Sequence, residues 1–318
     1  MKTIPNTDLT VSAICLGSTH IGVMDAPYEL LDAYLDMGGN FIDTAWVYAN
    51  WLPGERHSSE KTIGHWLKAH NIPRNKVIIG TKGAHPEMET MHIPRVTPDD
   101  IRLDVQTSLS NLQVDAIDLY YLHRDDETKP VEPIIDALEA EVKAGNIRYY
   151  GCSNWRANRI KAANAYAKSA GYMGFVADQP LWSMAQVNPE AISDPTLVAL
   201  DDDLYAYHVE SGMAIIPYSS QAKGYYTKWA ALGLENLPDD LRAQYDNAVT
   251  RKRYDIAQEI MQRTGYTINQ IALAFLMQQP VTTIPVVGCK NLDHLTASMS
   301  ALDVTLSDED FSRLQAAK

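Results

Sequence analysis

Along the chain, short apolar runs rich in β-branched and aromatic residues alternate with stretches in which apolar positions recur every three or four residues. The first kind fits a buried strand, and the second puts its apolar side chains on one helical face. Eight such pairs are legible, with strands predicted at 13–17, 40–45, 77–82, 116–123, 147–153, 175–179, 214–218 and 282–287. After the third run, Ile101, Val105, Leu109 and Leu112 are spaced four, four and three apart and so share a face. Helix starts and stops are also marked. Thr97 is placed to cap one helix with Pro98 as its first residue, and Thr267 with Gln270 forms a capping box for another. Gly38, Gly39 and Gly145 follow the last periodic positions of their helices, where positive φ is needed.

Strands alternating with helical segments imply parallel strands joined by crossover helices. Eight units without an evident linker or internal repeat predict an α/β fold, a single (β/α)8 barrel spanning 1–318, and barrels of this kind run from about 200 to over 400 residues. The competing doubly wound sheet carries a G-x-G-x-x-G turn, which is absent here. Two regions interrupt the rhythm. Residues 2–11, with Pro5, Asn6, Thr7 and Asp8 at their centre, predict a hairpin capping the barrel bottom. Residues 220–251, carrying Tyr225, Tyr226, Trp229 and Tyr245, predict a long and partly helical functional loop on the top face.

Composition narrows the function. With 27 basic and 40 acidic side chains, a net charge of -13 gives no footprint for nucleic acid, although a few lysines and helix N-termini can still hold a small anion. No apolar run approaches the roughly 18 residues of a membrane span, and the first residues lack an apolar secretory core. Cys15, Cys152 and Cys289 are too few and too scattered for a disulfide framework or a zinc site. These features predict a cytoplasmic protein without membrane or nucleic-acid partners; oligomeric state leaves no signature. His57, His65 and Glu60 match no zinc spacing, so no metal is expected. Gly151-Cys152-Ser153-Asn154-Trp155 lacks the second glycine of a nucleophile elbow.

In such barrels chemistry gathers at the C-terminal ends of strands. Asp43 ends the second predicted strand, Tyr48 lies five residues later, Lys82 ends the third and His123 the fourth. A phenol of pKa about 10 exchanges protons poorly at neutrality, and a neighbouring ammonium lowers that value. Lys82 is the candidate ammonium, Asp43 its counter-charge, and His123 a hydrogen-bond donor to a substrate oxygen. The set makes Tyr48 a general acid or base suited to carbonyl reduction. Singly, each has a structural reading: Asp43 and Lys82 as a strand-bracing ion pair, Tyr48 as an amphipathic surface or core residue, and His123 as a structural hydrogen-bonder.

Phe41-Ile42-Asp43-Thr44-Ala45 with Tyr48, then Gly80-Thr81-Lys82, then Asp118-Leu119-Tyr120-Tyr121-Leu122-His123 resemble the aldo-keto reductase superfamily. The resemblance covers nearly the whole chain. It implies a (β/α)8 barrel, an NADP(H) cofactor bound without a Rossmann motif, and a tetrad of Asp43, Tyr48, Lys82 and His123. By the same resemblance Ser153, Asn154 and Gln179 hold the nicotinamide carboxamide, and Tyr218, followed by Ser219, stacks on its ring. Gly288, Cys289 and Lys290 receive the adenosine phosphates, where Asn291 as an N-cap opens a helix N-terminus and Lys290 adds charge. Many relatives carry an Arg or Lys and a Glu-Asn pair after this loop, whereas this chain has His294, Ala297 and Ser298. Lys290 and His294 favour NADPH and leave NADH possible.

A small-molecule carbonyl or alcohol is the partner implied. Trp51, Trp182 and Tyr226 are candidate aromatic walls, with packing the alternative, and Arg124, Asp125 and Asp126 behind His123 point to a sugar or sugar-derived carbonyl. Two other functions use the same residues: a cofactor-binding sensor or regulatory module with little turnover, and an aldolase or isomerase with Lys82 as a Schiff base.

Overall fold

A computed structural model describes residues 1–317. The strands β1 (Lys2–Thr3) and β2 (Thr10–Val11) pair antiparallel, with Lys2 opposite Val11. A parallel sheet follows, made of β3 (Cys15–Gly17), β4 (Phe41–Asp43), β5 (Ile78–Gly83), β6 (Ile117–Leu122), β7 (Ile147–Ser153), β8 (Ala177–Gln179), β9 (Ala214–Ile215) and β10 (Val286–Gly288), in the order β10-β3-β4-β5-β6-β7-β8-β9. The two edges meet: Ile215 N donates to Thr282 O at 2.9 Å, Ile284 N to Ile215 O at 2.9 Å, and Val286 N to Pro217 O at 3.0 Å. These bonds close the sheet into the expected eight-stranded barrel.

Around it run α1 (Pro27–Asp36), α2 (Ser58–Ala69), α3 (Pro98–Leu112), α4 (Val131–Lys143), α5 (Ala157–Ser169) and α6 (Asp202–Ser211), then α7 (Tyr225–Leu232), α8 (Asp239–Tyr245), α9 (Ala248–Thr264), α10 (Ile268–Met277), α11 (Leu292–Met299) and α12 (Asp308–Gln315). Their boundaries follow the predicted chemistry. Thr97 accepts from Asp100 N with Pro98 at the first position of α3, and Thr267 with Gln270 closes a full capping box on α10. Gly38 and Gly145 take φ of 82° and 79° after α1 and α4. Among the described residues no helix is long and apolar enough to cross a membrane.

The hairpin plugs one end of the barrel. Ile4, Leu9 and Val11 join Phe41, Leu119 and Tyr121 in the interior cluster. Arg148 fastens it by donating to both carboxylate oxygens of Asp8, and Lys2 Nζ donates to Met277 O and Thr283 O. Several strands are shorter than their apolar runs. β9 stops at Ile215 and β10 starts at Val286 because Pro217 and Pro285 have no N–H to give the ladder. β8 starts at Ala177, since Phe175 N is taken by Asn164 Oδ1 at 2.8 Å.

Residues 220–251 carry α7, α8 and the start of α9, joined by short 3₁₀ turns. Their aromatics pack on one another, with Trp229 stacked on Tyr254 of α9 at 3.9 Å between centroids and 9° between planes. Tyr225, Tyr226 and Tyr245 are buried in this cluster, so Tyr226 is packing rather than a substrate wall.

Tight helix approach also fixes where the strand ends lie. In α2, a Cβ on Gly64 would fall 2.3 Å from Asn111 O and 2.8 Å from Leu112 C at the end of α3, both backbone. Alanine is the better helix former, by about 1 kcal/mol. Overpacking typically costs about 1–3 kcal/mol and outweighs it. Gly64→Ala is therefore destabilising by about 1–2 kcal/mol in chemical denaturation; a gain in stability would contradict the contact.

Candidate active site

The top face is assembled from bonds between strand ends. Thr44 N donates to Gly80 O, Trp46 N to Lys82 O and His123 N to Gly83 O, each at 2.8 Å. This ladder brings the residues after β4, β5 and β6 together. Lys82 Nζ donates to Asp43 Oδ2 at 2.6 Å, to Thr44 O at 2.8 Å and to Tyr48 OH at 3.1 Å. Three donors meet three acceptors, so a fully buried ammonium is satisfied. Asp43 Oδ1 receives Gln179 Nε2 at 2.6 Å, which ties β8 to β4 across the barrel mouth. The Tyr48 and His123 rings meet edge to face at 5.9 Å. Asp43, Tyr48, Lys82 and His123 thus form one constellation.

The charges settle as follows. Burial works against the Lys82 ammonium, but Asp43 and then Tyr48 more than offset it and hold the pKa above the ordinary lysine value. Burial raises the Tyr48 phenol, and the downward pull of Lys82 does not overcome it. The expectation that Lys82 lowers Tyr48 is therefore corrected in its net sign: desolvation wins, and the phenol stays protonated at neutrality. His123 is pushed well below the usual imidazole value by burial, then by His85, Arg124 and Lys82, and is neutral. Its Nδ1 is sealed with no partner. A buried N–H without an acceptor is rarer in folded proteins than a buried lone pair without a donor. The proton accordingly sits on Nε2.

A second layer comes from β7 and β8. Ser153 Oγ donates to Gln179 O at 2.8 Å, and Asn154, held at φ 62°, donates through Nδ2 to His123 O at 3.2 Å and Ser153 Oγ at 3.1 Å. Asn154 Oδ1 accepts from Tyr218 OH at 2.8 Å and Val198 N at 3.0 Å. Gln179 Oε1 is buried without a donor. Ser219 takes φ 52°, turning the chain away after Tyr218.

The last candidate group lies at the start of α11. A side chain at Gly288 would meet nothing within 4 Å, so the backbone there is open to approach. Cys289 is buried, which raises its thiol to about 11, so it is a packing residue at neutral pH. Lys290 and His294 are exposed, and Asn291 caps the helix by accepting from His294 N at 2.9 Å. Ser298 is buried and accepts from Gln221 Nε2, which also reaches Asn269 Oδ1, both at 3.0 Å. Gln221 and Asn269 carry no signal in the sequence, since they meet Ser298 only through tertiary packing.

The predicted substrate residues separate. Trp51 stands 42 % exposed and edge-on to Tyr48 at 6.2 Å, beside the constellation. Trp182 packs its ring against Tyr205 of α6 at 5.9 Å and lines a cleft of about 1230 Å³ with Phe275. Arg124 is buried and committed to Thr196 Oγ1, His123 O and Asp194. Asp125 is held by Arg159 through two bonds of 2.8 Å, and Asp126 accepts from Thr128. The rim charges are structural, which removes the physical basis for reading a sugar from them.

The sequence model of the Aldo/keto reductase family matches residues 13–318, nearly the whole chain. The chain belongs to this family. This aldo/keto reductase is 30 % identical to an aryl-alcohol dehydrogenase [NADP(+)] of Phanerodontia chrysosporium, over 98 % of this chain and 83 % of that protein. It is 28 % identical to norsolorinic acid reductase B of Aspergillus parasiticus, over 98 % and 82 %. The thermostable aldo-keto reductase Tm1743 superposes with a TM-score of 0.74 at 23 % identity, covering 100 % of this chain and 99 % of that one, which supports the barrel fold.

The protonation state of Tyr48 in this reductase is directly checkable. An ultraviolet difference titration of the wild type against Tyr48→Phe shows tyrosinate from Tyr48 only above pH 10, the ordinary value from which burial raises it. Tyrosinate appearing near neutrality would contradict the sign argued above.

Proposed function

We propose that this protein reduces an aldehyde or ketone to an alcohol with a nicotinamide dinucleotide, with Tyr48 as the general acid. The observation that carries the reading is the Lys82 ammonium bonded at once to Asp43 and to the Tyr48 hydroxyl. A neutral phenol donates its proton to an oxygen that becomes an alkoxide, and the ammonium 3.1 Å away stabilises the phenolate left behind. Asp43 keeps Lys82 charged, and in turn is held by Gln179. His123 Nε2–H donates to the carbonyl oxygen and orients it beside Tyr48. The same groups run the oxidation in reverse.

The residues present fit a nicotinamide nucleotide. Gln179 Oε1, buried without a donor, is an acceptor for an amide N–H, and the open backbone at Gly288 leads to a capped helix start beside Lys290. Ser153, Asn154 and Gln179 would hold the carboxamide end, Tyr218 and Ser219 the ring's neighbourhood, and Gly288, Cys289, Lys290, His294 and Ser298 the adenosine end. When bound, this cofactor supplies the hydride. NADPH is favoured because Lys290 and His294 are exposed and free to meet a 2′-phosphate, and because an NADP(+)-named relative is similar over nearly the whole chain.

For the substrate, an aromatic aldehyde or ketone is the class best supported. Trp51 offers an exposed indole beside Tyr48, and two similar proteins are named for aryl-alcohol and norsolorinic acid substrates. The fully buried Cys15 and Cys152 thiols and the absence of any disulfide among the described residues support a reducing compartment such as the cytoplasm.

Steady-state assays with NADPH and NADH on benzaldehydes, aryl ketones and aldoses test the reading. Wild type consumes NADPH with the aromatic carbonyls, and Tyr48→Phe binds nucleotide but loses about 10²- to 10⁴-fold in kcat. Nucleotide binding without turnover in the wild type would favour a sensor, and a preference for aldoses would restore the sugar reading. Lys290→Ala raises the NADPH Kd about two- to fivefold, the scale of an exposed ion pair, and leaves NADH unchanged. Equal effects on both nucleotides would remove Lys290 from 2′-phosphate recognition.

A further inference from the structure

Beyond β5 the chain places a second imidazole next to His123. The His85 ring lies 4.8 Å from that of His123 with the planes at 60°, and only 5 % of the residue is exposed. His85 Nδ1 is 2.7 Å from Pro86 O. A carbonyl oxygen only accepts, so Nδ1 carries the proton and Nε2 carries the lone pair. The cations around the ring are committed elsewhere. Arg95 donates to Asp104 and to the His85 backbone oxygen, while Arg124 donates to Thr196, His123 O and Asp194. Among the described residues nothing donates to His85 Nε2. Burial, then Arg124, pushes its pKa down to about 4, so the lone pair persists at neutral pH.

Tyr48, His123 and His85 are therefore neighbours in turn, with centroid steps of 5.9 Å and 4.8 Å. The first two meet the carbonyl oxygen in the reading above, on which this inference rests. The third offers an acceptor one ring further along, where a substituent on the atom two bonds from the carbonyl carbon would meet it. We propose that His85 is a specificity-determining residue whose Nε2 accepts a hydrogen bond from a hydroxyl next to the substrate carbonyl. The substrate class is an aromatic aldehyde or ketone bearing a hydroxyl ortho to the carbonyl group. A substrate with an apolar group there would cover this acceptor without pairing it, a loss that polar sites use to discriminate.

The test compares kcat/KM for 2-hydroxybenzaldehyde and 2-methylbenzaldehyde in wild type, His85→Phe and His85→Gln. Wild type prefers the hydroxyl compound by about tenfold, the scale of one buried hydrogen bond. His85→Phe brings the ratio to near unity while keeping the rate with the methyl compound, and His85→Gln, whose amide oxygen accepts, restores part of the preference. An unchanged ratio in His85→Phe, or an equal loss on both substrates, would make His85 a packing residue and overturn the proposal. Turnover of both aldehydes without preference by the wild type would overturn it alone. No turnover of either with NADPH or NADH would overturn the reductase reading as well.

Discussion

A lysine ammonium and a carboxylate, both out of water and 2.6 Å apart, set the conditions under which the rest of this site can exist. Taking either charge out of solvent alone is prohibitive, and together they are tolerable only with their remaining donors and acceptors filled. That requirement explains the neighbours. Thr44 O and Tyr48 OH complete the shell of Lys82, and Gln179 fills the second oxygen of Asp43. Thr44 and Tyr48 follow β4 while Gln179 ends β8, so the shell of the pair is complete only when β8 is brought round to β4. The hairpin plug, the tight α2–α3 approach and the bonds joining β9 to the residues before β10 all serve that closure.

The same constraint determines the chemistry. Because the pair keeps Lys82 charged, the one hydroxyl that completes its coordination sits beside a fixed positive charge. Because burial disfavours the charged form, that hydroxyl remains a phenol rather than a phenolate. A proton held until an adjacent oxygen develops negative charge, then released toward it with the ammonium in place, is the arrangement that carbonyl reduction needs. The two neutral imidazoles, His123 and His85, extend this polar strip without adding charge to it.

Much of this was legible before any coordinates. The strand–helix alternation names the barrel because several runs are bounded by capping residues and glycines whose roles are local. Asp43, Tyr48, Lys82 and His123 are readable because strand ends converge in a barrel, so position along the chain predicts position in space. Where long side chains decide, the sequence leaves more open. Trp182 follows β8 as Tyr48 follows β4, but its ring packs against Tyr205 of α6. Arg124, Asp125 and Asp126 read as a polar rim, and only the fold shows Asp194, Thr196 and Arg159 consuming them. The net direction of the Tyr48 shift needed its burial, which no pattern of residues gives. Gln221 and Asn269 carry no signal because their partners lie far away in sequence, and His85 carries none because only the fold sets its ring beside His123.

The central claim, that Asp43 and Lys82 are one coupled buried unit on which the site is built, is tested most directly by a double-mutant cycle in chemical denaturation. Asp43→Asn, Lys82→Met and the double variant would be unfolded side by side with the wild type. The account predicts that each single change costs about 3–5 kcal/mol, because it leaves its partner charge buried and unpaired, and that the double variant regains a large part of that loss. Additive costs in the double variant, or single variants as stable as the wild type, would contradict it and reduce the pair to two independent side chains on neighbouring strands.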